Sequence, residues 1–176
     1  VFMKRIAMTI LLVFSIASCT SAIRPDLMEQ GNRNPSLAAL IQSPEMYRDQ
    51  LFILGGIAAR TTLKAEGSEI EALYVPVDGW GYPQDITSSN QRFLALYPRE
   101  KGILDPLVYH KNRGISIAGV FTGVVTGRVD EMEYVFPMFR IMQIYLEPKR
   151  PPPTVYYYYP SPYIGPGWWG YSWGPW

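Results

Sequence analysis

Between Leu51 and Leu146 the chain repeats one pattern, a short apolar run closed off by Gly, Pro, Asn or Asp. The runs are LFILGGIAAR from Leu51, SEIEALYVPVD from Ser68, RFLALYP from Arg92, GISIAGVFTGVVTGRV from Gly114 and EYVFPMFRIMQIYL from Glu133. Their β-branched and aromatic content predicts strands. Gly114, Gly119, Gly123 and Gly127 interrupt the fourth run, and interior strand glycines mark bulges or sharp coiling. Pro137 predicts a bulge or an edge position in the last run, because proline offers no ladder donor. Ahead of the strands, NPSLAALIQSPEMYRDQ carries the cap cluster Asn34, Pro35 and Ser36. That cluster predicts a short helix over Leu37–Ile41 ended by Pro44, then a helical turn over Pro44–Arg48 that packs Met46 and Tyr47.

No gap between the strand runs shows a helical period, which argues against a doubly wound fold. The expected fold is mainly β: a small antiparallel OB-like β-barrel with one or two short N-terminal helices, built as one domain. Its predicted core is Leu51, Ile53, Leu73, Val75, Phe93, Leu94, Leu96, Ile117, Val120, Val135, Phe136, Ile141 and Ile144. A one-residue slip in register would invert any of these faces.

The two ends read differently. From Met3, Lys4 and Arg5 precede an apolar stretch over Ile6–Ile16, and then Ala17 and Ser18 lead to Cys19. This is the order of a signal peptide. A run of roughly ten apolar residues is too short to span a bilayer, which needs about 20. Residues 1–18 are therefore expected to be a signal peptide, and 19–34, polar and lacking periodicity, read as a flexible tether. The barrel domain is expected over 35–149. Residues 150–176 are Tyr-, Trp-, Pro- and Gly-rich, with no aliphatic set to build a core, and read as a disordered tail.

Ile16-Ala17-Ser18-Cys19 resembles the lipobox of bacterial lipoproteins. The resemblance implies that the Cys19 thiol takes a diacylglyceryl group, that Ala17 and Ser18 fit the peptidase cleft, and that cleavage makes Cys19 the first mature residue. Two or three acyl chains together anchor firmly where one is marginal. The rival reading of Cys19, a buried thiol in an apolar helix, fits the ordered basic and apolar regions less well. Thr20 in place of an aspartate implies the outer membrane, on its periplasmic face. SPEMYRDQLFILGGIA from Ser43, RFLALYPREKGILDP from Arg92, ISIAGVFTGVVTGRV from Ile115 and YVFPMFRI from Tyr134 together resemble the Slp family of outer-membrane lipoproteins, whose founding member is starvation-inducible. Ile103 stands where that family usually has an aromatic residue. The resemblance covers about Pro35 to Pro148, implies location and fold, and transfers no catalytic or ligand residues.

Candidate chemistry is sparse. The formal net charge is +1, so no global field draws nucleic acid, and none is expected as a partner. The single cysteine makes no internal disulfide. His110 is the only histidine and reads as a surface or turn residue. Asp130, Glu131 and Glu133 lack the spacing of a calcium loop and read as a hairpin turn. Asp105-Pro106 reads as a turn whose carboxylate caps local amides. No cofactor, metal or catalytic residue is expected, and a glycan-acting enzyme is disfavoured because no general acid–base pair is visible. The tail rings Tyr156, Tyr157, Tyr158, Tyr159, Trp168, Trp169 and Trp173 suit lipid headgroups or peptidoglycan sugars, unless the tail is a disordered segment with no partner. The leading expectation is a non-catalytic envelope lipoprotein with a structural or stress-related role, held to the membrane by N-terminal acyl chains. The alternative is a barrel that binds an envelope oligomer.

Overall fold

The computed structural model describes residues 21–84 and 90–148. The expected signal peptide, the lipobox with Cys19 and the aromatic tail lie outside these residues. Three short helices precede the five long strands: α1 (Pro25–Gln30), α2 (Leu37–Gln42) and α3 (Pro44–Tyr47). Ser36 caps α2 by accepting from Ala39 N at 3.4 Å, and Pro44 opens α3 at the position where a missing N–H costs nothing. Tyr47 packs edge-on against Phe52, but Met46, expected to pack, is exposed. A Glu45–Arg48 ion pair at 2.7 Å holds the Glu45 carboxyl below its ordinary range, and Arg48 also donates to Thr122 O, tying α3 to the barrel.

The strands are β1 (Asn32–Arg33), β2 (Leu51–Lys64), β3 (Gly67–Val75), β4 (Arg92–Pro98), β5 (Gly114–Val129) and β6 (Met132–Leu146). A 3-10 turn, Arg99–Lys101, follows β4. The sheet runs β1-β2-β3-β4-β6-β5, and β2 pairs with β5 as well, so the five long strands close on themselves. The expected OB-like barrel is therefore present, with one correction. It is not wholly antiparallel, because β4 and β6 pair in parallel over Leu94–Leu96, and β1 lies parallel to β2. The parallel pair is the Greek-key consequence of inserting β6 between β4 and β5.

Closure depends on β2, whose Gly55, Gly56 and Ile57 are paired with β3 on one side and β5 on the other. Inside, the rings of Phe52, Phe93, Phe121 and Phe139 fill the lumen. Phe139 is central, with ring centroids 5.5 Å from Phe121, 5.8 Å from Phe93 and 6.1 Å from Phe52. Glycines make room for them: a Cβ on Gly56 would stand 3.0 Å from the Phe93 ring, and one on Gly119 would stand 3.1 Å from Phe139 Cβ. Gly119 and Gly123 fall at the two register shifts of the β5–β6 ladder, as their place in the run predicts. Gly123 has φ +133°, which a side chain would strain. Pro137 lies one residue before the β4–β6 ladder begins, so its missing N–H interrupts no β4 pairing.

The core differs from its sequence-derived version in an instructive way. Val75, Phe93, Leu94, Ile117, Phe136 and Ile141 are buried, but Val135 is exposed and Leu51, Leu73, Leu96, Val120 and Ile144 are half-buried. The ladder skips Thr122 in β5 and Met142 in β6, so along these two strands alternation counted from one end fails at the other. Ile53 is buried on the outside of the barrel. There it joins Ala118, Val77, Ile23 and Leu27 in a second apolar cluster. Residues 21–34, expected as a flexible tether, supply the cover for that cluster, with Ala22, Ile23 and Leu27 all buried. The polar appearance of this segment hid three apolar anchors whose burial outweighs the entropy of fixing them.

Truncating the lumen should be costly. Phe93→Ala or Phe139→Ala should each lose roughly 3–5 kcal/mol, much of a small domain's ~5–15. Urea denaturation midpoints measure this, and an unchanged midpoint would remove these rings from the account of the core.

Candidate functional site

With the lumen filled by phenylalanine rings, the sites open to a ligand lie on the outer surface. A cleft of about 540 Å³ that combines both signs of charge opens between the start of β4 and the β5–β6 turn. Asn90 and Arg92 form one wall, and Asp130, Glu131, Glu133 and Tyr134 form the other. The turn is a two-residue loop, since Val129 pairs with Met132, and Asp130 adopts the left-handed conformation that aspartate tolerates in such turns. Asp130 and Glu131 form the expected hairpin turn, and Glu133, read as part of it, lies one residue into β6, paired with Arg128.

Arg92 is held in place by Glu71. This carboxylate is buried on the outer face of β3, with one oxygen 2.6 Å from Arg92 Nη1 and the other 3.2 Å from Arg60 Nη2. Glu71 is 8% exposed on its side chain, whereas Arg92 is 32% and Arg60 69% exposed. A buried carboxylate needs such partners, because an unpaired one would carry its full desolvation cost. The Arg92 amide also donates to the Tyr134 hydroxyl at 3.0 Å, which ties the two walls of the cleft together.

Nothing in the sequence singles out this triad. Glu71 alternates with Ile70 and Ala72 and reads as a solvent-facing position. The bulge in β2 decides otherwise. Ala58 pairs with Ala72, Ala59 is skipped, and Arg60 falls opposite Glu71. The signal available beforehand was the pair of small residues at 58 and 59 within a long strand, where an extra residue costs little.

The remaining candidates are separate from the cleft. His110 is exposed in the loop between β4 and β5, with Nδ1 2.7 Å from Lys111 O. No cluster of His, Cys, Asp and Glu among the described residues could hold a metal ion. Asp105 accepts from Leu107 N at 2.8 Å through Oδ1, the capping turn expected of Asp105-Pro106. Ile16, Ala17, Ser18, Cys19 and the tail rings Tyr156 to Tyr159, Trp168, Trp169 and Trp173 lie outside the described residues. No described helix is long and apolar enough to cross a membrane.

At the opposite face, Tyr145 and Tyr82 meet edge to face, 5.4 Å between centroids. Burial, then the nearby Tyr82 and Glu147, push the Tyr145 hydroxyl above the usual tyrosine range.

The triad should be asymmetric in energy. Arg92→Ala should destabilise by roughly 1.5–3 kcal/mol, the range for a charged hydrogen bond, and Arg60→Ala by less than about 1, as for an exposed pair. Denaturation of the two variants and of Glu71→Gln checks this, and equal losses for the two arginines would show that exposure does not rank them.

No curated protein and no solved structure gives a match. The model of one family, described as Outer membrane lipoprotein Slp family, matches residues 16–176, which takes in Ile16–Cys19, the closed barrel and the aromatic C-terminal sequence. The chain therefore belongs to the Slp family of outer-membrane lipoproteins.

Proposed function

We propose that this outer-membrane protein is matured and acylated at Cys19, held on the periplasmic face, and serves a non-catalytic structural or stress-related role by contacting envelope components through its outer surface. The observation that carries this reading is the aromatic plug. Phe52, Phe93, Phe121 and Phe139 occupy the lumen, so a ligand must be met from outside. The cleft beside the β5–β6 turn is the part of the surface suited to it, since OB-like barrels use the corresponding face and loops for oligomers.

The rival reading, a glycan-acting enzyme, needs two carboxyl groups flanking the bond to be cleaved. In this cleft Asp130, Glu131 and Glu133 share one wall, and the facing wall presents Asn90 and Arg92. That arrangement suits recognition of a ligand with both donors and acceptors better than acid–base cleavage. The aromatic tail adds a second contact in this proposal, because rings on a Pro/Gly backbone bind sugar faces or headgroups at small entropic cost per ring.

Cys19→Ala should leave an unprocessed or soluble form, read by fractionation and by mass spectrometry of the mature N-terminus. A free thiol with residues 1–18 attached would overturn the anchor. Deleting residues 150–176 should leave the barrel folded and lower its co-sedimentation with purified peptidoglycan or with vesicles severalfold. Equal retention of intact and shortened proteins would leave the tail without a contact role.

A further inference from the structure

The start of the described chain is fastened to one loop. Ser21 Oγ donates to Trp80 O at 2.7 Å, and Ala22 N donates to the same carbonyl at 3.0 Å. The neighbouring backbone is held as well, with Arg24 N donating to Gln143 Oε1 at 2.9 Å and Gln143 Nε2 donating to Ala22 O at 3.4 Å. The loop that receives these bonds is itself rigid. Asp78 Oδ1 accepts from Trp80 N at 2.8 Å and from Tyr82 N at 2.9 Å, and Asp78 N donates to Tyr82 O. Asn34 clamps its base, accepting from Val77 N at 2.7 Å and donating to Val77 O at 3.0 Å. Gly81, at φ +83°, lies so close to Met28 and Ile23 that a Cβ there would stand 3.1 Å from Met28 Sδ.

All of these bonds hold the backbone and leave the indole of Trp80 out in solvent, 54% exposed. Next to it, Arg33 Nη1 lies 4.0 Å from the position of a Cβ on Gly79, and Arg33 makes no ion pair among the described residues. An exposed tryptophan beside a guanidinium is the pairing that settles at a bilayer interface, with the ring at headgroup level and the cation at phosphate.

Covalent geometry supplies the occupant. Cys19 precedes Ser21 by two residues, which span at most about 7 Å when extended. If Cys19 carries the acyl chains, the Trp80 carbonyl is held within roughly 10 Å of the lipidated residue, comparable to the depth of the headgroup layer. A long flexible tether would let the barrel tumble away from the membrane, whereas two residues do not.

We infer that Trp80 and Arg33 form a second, non-covalent contact with the phospholipid surface, so that the lipidated chain lies on the bilayer in one fixed orientation. This rests on the acylation of Cys19 proposed above. In that orientation the loop between β4 and β5, which leaves the far end of β4, points away from the membrane.

The test uses the full lipidated chain in phosphatidylethanolamine–phosphatidylglycerol vesicles, with an environment-sensitive fluorophore on a single introduced thiol. Gly79→Cys places it in the loop, where a Cβ meets nothing closer than Arg33, and Leu107→Cys, at an 84% exposed position, serves as the distal control. The Gly79 label should emit at shorter wavelength and be quenched severalfold less by aqueous iodide than the Leu107 label. Intact mass reads Cys19 in the same samples. Lipidated protein whose two labels quench equally overturns the docking alone, and unmodified Cys19 overturns the docking together with the anchor.

Discussion

The barrel closes around the ring of Phe139. It lies within aromatic contact of Phe52, Phe93 and Phe121, which come from three other strands, so the four rings link β2, β4, β5 and β6 across the lumen. Four large rings fit inside five strands only where the wall beside them carries small side chains or none. Gly56, Ala72, Ala95 and Gly119 supply that space. Large and small residues are thus matched across the lumen, as close packing requires. Gly55 and Gly56 are paired on both sides, with β3 and with β5, where β2 closes the barrel.

A lumen filled in this way moves function to the outer surface, and two outer regions are built with care. On one, a buried carboxylate fixes Arg92 at the mouth of a cleft whose other wall is acidic. On the other, residues 21–34 cover Ile53, Val77 and Ala118 and lock the loop that presents Trp80. Both regions combine a rigid backbone with exposed side chains, the arrangement expected where a surface meets something else.

The segment after Cys19 shows how composition can mislead. Its many polar residues and lack of periodicity describe the solvent side of Pro25–Gln30 accurately. The buried side is carried by Ala22, Ile23 and Leu27, too few and too irregularly spaced to form a pattern. They find a partner because β2 and β5 leave apolar residues on the outside of the barrel, and only the closed barrel creates that surface.

Local chemistry determined much of this protein without help from the fold. The strand runs of β4 and β5, the Ser36 cap, the Pro44 break, the Asp105 turn and the hairpin at Asp130 were legible, because each depends on neighbours within a few residues. Family membership was legible too, since the order of several short stretches carries it. Tertiary structure alone decided the parallel β4–β6 pair, the exposure of Val135 and the burial of Glu71 between two arginines. It also decided the seating of Ser21 on Trp80. The physical reason is common to all four: each depends on register between segments far apart in the chain, and a single skipped residue at a bulge resets every facing beyond it.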